Sequence, residues 1–318
     1  MDRKLSVLIA AYNEEESIPE LYQQLMENIR ECKAAGLLTS YEILWINDGS
    51  SDRTGEILKK LHQQDPCVRY IFFRKNFGKS VALETGFRNV TGDVVITMDA
   101  DLQDDPCELQ HFLRKLDEGY DLVSGWKFNR LDPAEKRLPS KLFNKVTAKM
   151  SGINLHDFDC GYKAYRRQVT DSLDVYGSMH RYLPVLAWRN GFRITEITVH
   201  HNKRKYGKSK FGIERYLQGL FDFLTVFFLT RYADRPMYFF GRAGLVSGGI
   251  GFLICLYLLI LKLCGQSIGG RPLLMLGVLL ILLGMQFLSV GFIGNMIVDQ
   301  NARRNYTEDK ILERSEKP

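Results

Sequence analysis

The six cysteines of this chain never stand as a Cys-x-x-Cys pair. A zinc ribbon or a redox dithiol therefore has no support, and a cytosolic setting favours free thiols over disulfides. There is no internal repeat, long linker or low-complexity tract, which excludes a solenoid and an unstructured scaffold. No cleavable leader is read at the start: the apolar run Leu5–Ala11 is short and is followed by Glu14, Glu15 and Glu16. The excess of 43 Lys and Arg over 37 Asp and Glu gives a net charge of +6. No aromatic–basic recognition module accompanies it, so nucleic acid is not the expected partner; an anionic membrane face is. Gln103 stands where a D-x-D-x-T phosphotransferase would carry threonine, which argues against an aspartyl nucleophile.

Charge is also missing from two long stretches. Ala243–Leu261 and Pro272–Val298 contain no charged residue. Each is long enough to cross a hydrocarbon core of about 30 Å. Between them lies a short turn carrying Lys262 and Arg271, whereas Arg231, Arg235 and Arg242 precede the first stretch and Arg303, Arg304 and Lys310 follow the second. The bias predicts a transmembrane hairpin with both ends inside. Gly212–Thr230 carries Ile213, Tyr216, Leu217, Leu220, Leu224 and Phe227 at helical spacing, and is read as a helix in the membrane interface.

The first half alternates strand and helix. Leu5–Ala11, Tyr41–Ile46, Val68–Phe73 and the run before Asp99 read as strands; Ile18, Leu21, Leu25 and Ile29 fall at helical spacing between the first two. Helices are expected near 54–64, 79–88, 106–116 and 136–150, and further strands at 122–124 and 195–200. This order predicts a mostly parallel sheet with helices on both faces. Ligands of such sheets bind outside the carboxyl ends of the strands. Tyr12, Glu14, Asp48, Asp99 and Asp101 all fall at such ends. Alternation puts Asp99 and Asp101 on one side of the extended chain, where two carboxylates can seat a hard divalent cation together with substrate phosphates.

Six segments occur in this order: Ala11-Tyr12-Asn13-Glu14-Glu15, Asn47-Asp48-Gly49-Ser50-Ser51-Asp52, Asn76-Phe77-Gly78-Lys79, Asp99-Ala100-Asp101-Leu102-Gln103, Asp159-Cys160-Gly161-Tyr162-Lys163, and the basic run Arg204–Lys210. Together they resemble family 2 glycosyltransferases of the GT-A fold, within it the polyprenyl-phosphate glycosyltransferases such as dolichyl-phosphate mannose synthases and bactoprenol glucosyltransferases. The resemblance implies an α/β GT-A domain over about 1–210, a juxtamembrane amphipathic region over about 211–236, a hairpin over about 237–300 with spans near 239–262 and 272–298, and a tail over 301–318.

It also implies roles. Asp48 would meet the nucleotide base, uracil or guanine, with Tyr12 and Glu14 in the same site and Lys79 and Arg204 on the donor. Asp101, with Asp99 and Gln103 beside it, would hold Mg²⁺ or Mn²⁺. Asp159 would act on the transfer step, as a general base or by orienting the acceptor. Lys127, Lys136, Arg137 and Ser140 would meet the lipid phosphate. In dolichyl-phosphate mannose synthases, positions resembling Lys127 and Lys136 tend to be arginine; lysine lacks that bidentate fork. The basic run Arg204–Lys210 resembles a loop that closes over the donor. The implied activity is inverting transfer of one sugar, with a tilt to glucose from UDP-glucose, to undecaprenyl phosphate at the inner membrane, by a homo-oligomer of which a tetramer is one form. The alternatives are a GDP-mannose-using synthase, a processive polysaccharide synthase, for which no Q-x-x-R-W segment is found near Arg181–Trp188, and a non-catalytic nucleotide-sugar sensor.

Overall fold

The computed structural model describes residues 2–128, 144, 147–148, 151–175, 179–202, 205, 224–225, 228, 231–232, 235–267 and 272–304. It forms two compact units, Met1–Phe223 and Leu224–Pro318.

In the first unit the elements are β1 (Lys4–Ala11), α1 (Ile18–Ala34), β2 (Ser40–Asn47), α2 (Thr54–Gln64), β3 (Val68–Phe72), α3 (Lys79–Asn89), β4 (Val94–Asp99), α4 (Leu109–Asp117), β5 (Leu122–Trp126), β6 (Lys163–Arg166), α5 (Arg167–Ser172), α6 (Leu183–Arg189) and β7 (Ile194–Thr198). The strands make one sheet in the order β3-β2-β1-β4-β6-β5-β7. All neighbours pair in parallel except β6, which runs antiparallel to β4 and β5. The chain winds outward from β1 to β3, then returns to place β4 on the other side of β1. This reversal opens a crevice at the carboxyl ends of β1 and β4.

Register fixes what reaches that crevice. Ala11 stands opposite Asn47, and Ala10 opposite Asp99. The residues just beyond, Tyr12, Asp48 and Ala100, therefore leave the sheet at one edge. The continuous apolar run of β1 is explained by burial on both faces. Leu5, Val7 and Ile9 join Leu21, Leu25 and Ile29 of α1 and Phe112, Leu113 and Leu116 of α4 in one core. Leu8 points the other way, where Gly86 of α3 seats directly on it.

The opposite edge is pinned by a buried carboxylate. Glu42 of β2 accepts from the Ser6 hydroxyl at 2.6 Å and from Arg69 Nη1 at 2.7 Å, and Thr91 donates to it through both N–H and hydroxyl. Burial raises the Glu42 pKa, but these donors outweigh it and hold the group below the usual carboxylate range.

Two expectations are corrected. The helix read from Pro106 begins as a single 3₁₀ turn, Pro106–Glu108, before α4; the Asp105 carboxylate accepts from the Cys107 N–H at 3.0 Å and tightens the entry. Strand β6 was not foreseen. It is four residues long, has no usable periodicity, and exists because β4 and β5 flank it. The helix expected over 136–150 is helical at Asn144, Thr147 and Ala148, and otherwise lies outside the described residues.

The second unit contains α7 (Pro236–Leu263) and α8 (Pro272–Arg304), both long and apolar enough to cross a membrane. Each is longer than its apolar run, because Pro236 sets the first turn of α7 and hydrogen bonding carries α8 past Val298. The two helices pack backbone to backbone. A Cβ on Gly244 would lie 2.7 Å from the Gly284 carbonyl oxygen, and one on Gly251 would lie 2.6 Å from that of Gly277. Ser247 donates to the Leu280 carbonyl at 2.9 Å. Leu245, Phe252, Leu253, Met275, Leu279 and Phe292 point outward and are exposed, as a lipid-facing surface requires. The interfacial helix expected over 211–236 falls mostly outside the described residues; Leu224, Thr225, Phe228 and Arg231 are helical.

Candidate active site

The turns after β1 and β2 are stitched together. The Asn13 N–H donates to Ser50 Oγ at 2.9 Å, the Ser51 N–H to Asn13 Oδ1 at 2.8 Å, and the Glu14 N–H to Thr54 Oγ1 at 3.0 Å. Asn13 takes a positive φ of 56°, a conformation asparagine tolerates. Glu14 accepts from the Ser17 hydroxyl at 2.7 Å, and the Tyr12 ring is exposed at the crevice. Asp48 is buried, and both its oxygens are engaged by backbone: Oδ1 by the Phe77 N–H at 2.7 Å, Oδ2 by the Gly78 N–H at 2.9 Å. Asp48 thus fixes the loop that starts α3, and with it the first residue of that helix, Lys79.

Lys79 reaches across to the end of β4 and binds Asp99. Burial alone would raise the Asp99 pKa, but Lys79 and then Lys127 reverse it, to about 2. Burial depresses Lys79, but Asp99 first and Asp104 and Asp159 next raise it above its ordinary value. The pair is charged throughout the physiological range. Asp104 backs the strand end: its Oδ2 accepts from the Asp99 N–H at 3.1 Å, while Lys127 Nζ lies 2.8 Å from its Oδ1. Asp101 Oδ1 accepts from the Gln103 N–H at 3.2 Å. Between them Leu102 adopts φ 61° with its side chain buried, a strained turn that locks the loop.

Gly161 closes the floor. Thr97 Oγ1 donates to its carbonyl at 2.8 Å, and a Cβ there would lie 2.7 Å from Asp99 Oδ2 and 2.9 Å from Lys79 Nζ. A side chain there would have to displace the ends of this ion pair. Asp159, two residues earlier, lies 3.5 Å from Arg181 Nε. Next to Arg181, the His180 ring meets Ser80 Oγ at 2.8 Å. Burial, then the positive charges of Lys79 and Arg181, push the His180 pKa down to about 3, so the imidazole is neutral. Lys163 is fully buried, bonds the Cys160 carbonyl and has a lowered pKa through burial.

The structure therefore brings together Lys79, Asp99, Asp101, Gln103, Lys127 and Asp159, and sets Tyr12, Glu14 and Asp48 along the same edge. Lys127, expected at a lipid phosphate, is committed to Asp104. Lys136, Arg137, Ser140 and Arg204 lie outside the described residues. Sequence reading missed Asp104, Arg181, His180 and His201. Asp104 follows the paired aspartates closely enough to have been noticed. The other three come from distant segments with no motif spacing. His201 bridges to Asp104 by backbone and brings Nε2 within 3.5 Å of Gln103 Nε2, while the Asn202 N–H donates to the Gln103 carbonyl at 3.0 Å.

As a cation seat this edge offers oxygen donors from Asp101 and Gln103. Among the described residues no three His, Cys, Asp or Glu side chains gather on one point. A hexacoordinate ion here would take its other ligands from substrate phosphates and water, the usual habit of Mg²⁺. Residues 6–174, which span all of these strand ends up to β6, match the glycosyl transferase family 2. The chain is a family 2 glycosyltransferase. It is 35% identical over 318 residues to a dodecaprenyl-phosphate galacturonate synthase of Rhizobium johnstonii, covering 96% of this chain and 90% of that one. It is also 35% identical to an undecaprenyl-phosphate 4-deoxy-4-formamido-L-arabinose transferase of Pseudomonas paraeruginosa, covering 97% and 90%. The fold of this glycosyltransferase resembles that of a mannosyltransferase from Pyrobaculum calidifontis solved with GDP-mannose and Mn²⁺ (TM-score 0.52, 15% identity, 98% of this chain and 82% of that one). It also resembles glucosyl-3-phosphoglycerate synthase from Mycobacterium tuberculosis solved with Mn²⁺, UDP and phosphoglyceric acid (TM-score 0.52, 17% identity, 72% and 78%).

Proposed function

We propose that the protein transfers one sugar from a nucleoside diphosphate sugar to a polyprenyl phosphate at the cytoplasmic face of a membrane. The observation that carries this reading is the juxtaposition of Asp101 and Gln103 with the Lys79–Asp99 pair at the sheet's switch point, in a chain that also has two membrane-length helices. The two curated relatives, aligned over nearly their whole length, are named for polyprenyl-phosphate products.

A bound Mg²⁺ or Mn²⁺ would supply Lewis-acid neutralisation of the diphosphate. Both structural neighbours were solved with Mn²⁺. Asp101 and Gln103 would hold the ion, with Asp99 behind them already neutralised by Lys79. Tyr12, Glu14 and Asp48 would receive the base, and Arg204 the donor phosphates. Lys136, Arg137 and Ser140 would receive the lipid phosphate. One of its oxygens attacks the anomeric carbon, the bond from that carbon to the diphosphate breaks, and the electron pair leaves with the nucleoside diphosphate, inverting the centre. A phosphate monoester is largely ionised near neutral pH, with a second pKa around 6. Asp159, held by Arg181, therefore orients the acceptor rather than removing a proton.

The excess of arginine at the outer ends of the hairpin and the brief turn between supports both termini inside. The glucose expectation draws no support from the two relatives, which are named for galacturonate and formamido-arabinose. The test is transfer of radiolabel from a panel of UDP- and GDP-sugars, including UDP-glucose, UDP-galacturonate and GDP-mannose, into butanol-extractable lipid with undecaprenyl or dolichyl phosphate and Mn²⁺ or Mg²⁺. Labelled lipid that disappears with EDTA is expected; no transfer from any donor overturns the reading.

A further inference from the structure

Ser80 is the second residue of α3, directly after Lys79, and is buried. Its hydroxyl makes two contacts with one residue of a segment a hundred positions away. The His180 N–H donates to Ser80 Oγ at 3.2 Å, and Ser80 Oγ lies 2.8 Å from His180 Nδ1. A buried hydroxyl must place its single proton on an acceptor. That acceptor is Nδ1 when the ring carries its proton at Nε2; in the other tautomer Nδ1–H donates to the second lone pair of Ser80 Oγ, and either form closes the clasp. The ring is faced by Lys79 from α3, Asp99 from β4, Lys163 from β6 and the adjacent Arg181.

The residues on either side of this clasp carry the two halves of the site. Lys79, beside Ser80, binds Asp99 at the cation edge. Arg181, beside His180, meets Asp159 in the loop that leads to Gly161. Gly161 in turn packs on Lys79 and Asp99. The connections form a closed ring from Ser80 through His180, Arg181, Asp159 and Gly161 to Lys79 and back. Closing the ring removes conformations that an open chain of the same links would keep.

We infer that His180 is a positioning residue: its clasp on Ser80 holds the Arg181–Asp159 pair in register with the Lys79–Asp99 pair. The inference rests on the proposed transfer reaction for what that register serves. Neither His180 nor Ser80 needs to touch substrate for this role. Asparagine at 180 can present an amide oxygen near the place of Nδ1 and keep the clasp; alanine cannot.

The experiment compares full-length wild type with Ser80→Ala, His180→Ala and His180→Asn in detergent. With the donor that wild type turns over, His180→Ala is expected to lower kcat by about 10–100-fold, the scale on which small misplacements act. Its donor KM should stay within about threefold, and His180→Asn should recover most of the loss. Hydrogen exchange of the peptide spanning 157–163 should rise in Ser80→Ala and His180→Ala and return in His180→Asn, a readout that needs no turnover. In the Asp159→Ala background, His180→Ala should add little further loss, because both act through one link. Unchanged exchange in 157–163, equal behaviour of the alanine and asparagine variants, or additive losses with Asp159→Ala would each overturn the inference. Absence of transfer by wild type would instead strike the proposed function, while the exchange result still decides the clasp.

Discussion

Lys127 and Asp104 form a buried ion pair directly beneath the end of β4, with the other Asp104 oxygen on the Asp99 backbone N–H. One side chain thus anchors both the strand end and a lysine that sequence reading placed on the lipid phosphate. Removing one partner of such a pair leaves an uncompensated charge. Asp104→Ala is expected to destabilise the protein by about 3–5 kcal/mol. Asp104→Asn combined with Lys127→Met should be milder than the sum of the single changes. Thermal unfolding of the four proteins measures the coupling; strict additivity would show that the two do not interact.

Lys79 neutralises Asp99 in the protein itself, before any ligand is considered. Lys79→Gln leaves the half-buried Asp99 without its nearest cation, and transfer activity should fall by about 100-fold or more, the scale for a lost preorganised charge. Lys79→Arg should retain part of it. Initial rates at saturating donor distinguish the two.

Asp48 holds the Phe77 and Gly78 amides through separate oxygens. Asp48→Asn keeps one acceptor and turns the other position into a donor facing a donor. Hydrogen exchange of residues 75–80 should accelerate, and nucleotide affinity should drop by about tenfold, a penalty of about 1.4 kcal/mol. Titration with UDP and GDP in the presence of Mn²⁺ checks this.

Glu42 has its pKa lowered in the folded state. A carboxylate with a depressed folded pKa contributes stability above its unfolded pKa, near 4.3, and loses it as pH falls through the folded value. Glu42→Gln should therefore cost about 1–3 kcal/mol near neutral pH and progressively less below pH 4. Melting temperatures at pH 7, 5 and 3.5 test the sign. A variant as stable as wild type at pH 7 would contradict it.

Gly284 meets Gly244 backbone to backbone in the hairpin. Gly284→Leu should force α7 and α8 apart, at a cost of about 1–3 kcal/mol. Thermal aggregation in detergent should begin at a lower temperature, and Val278→Leu, at an exposed position, should not shift it.

Much of this protein is written locally. The β-α alternation, the apolar runs of β1 and β4 and the two charge-free stretches follow from periodicity and length, because burial of a strand or a span constrains every residue in it. Asp48, Asp99 and Asp101 were legible because they close such runs, and strand ends are where a parallel sheet exposes polar groups. Tertiary structure alone decided the rest. Strand β6 is too short to announce itself and forms through its neighbours. Lys127 turns inward to Asp104, a partner that chain distance does not reveal. Arg181 comes to Asp159, and His180 to Ser80, from a segment whose helical turn carries no signal of its own. Hydrophobic patterning is a property of consecutive residues, whereas charge pairing and hydrogen bonding depend on distances that exist only once the chain has folded.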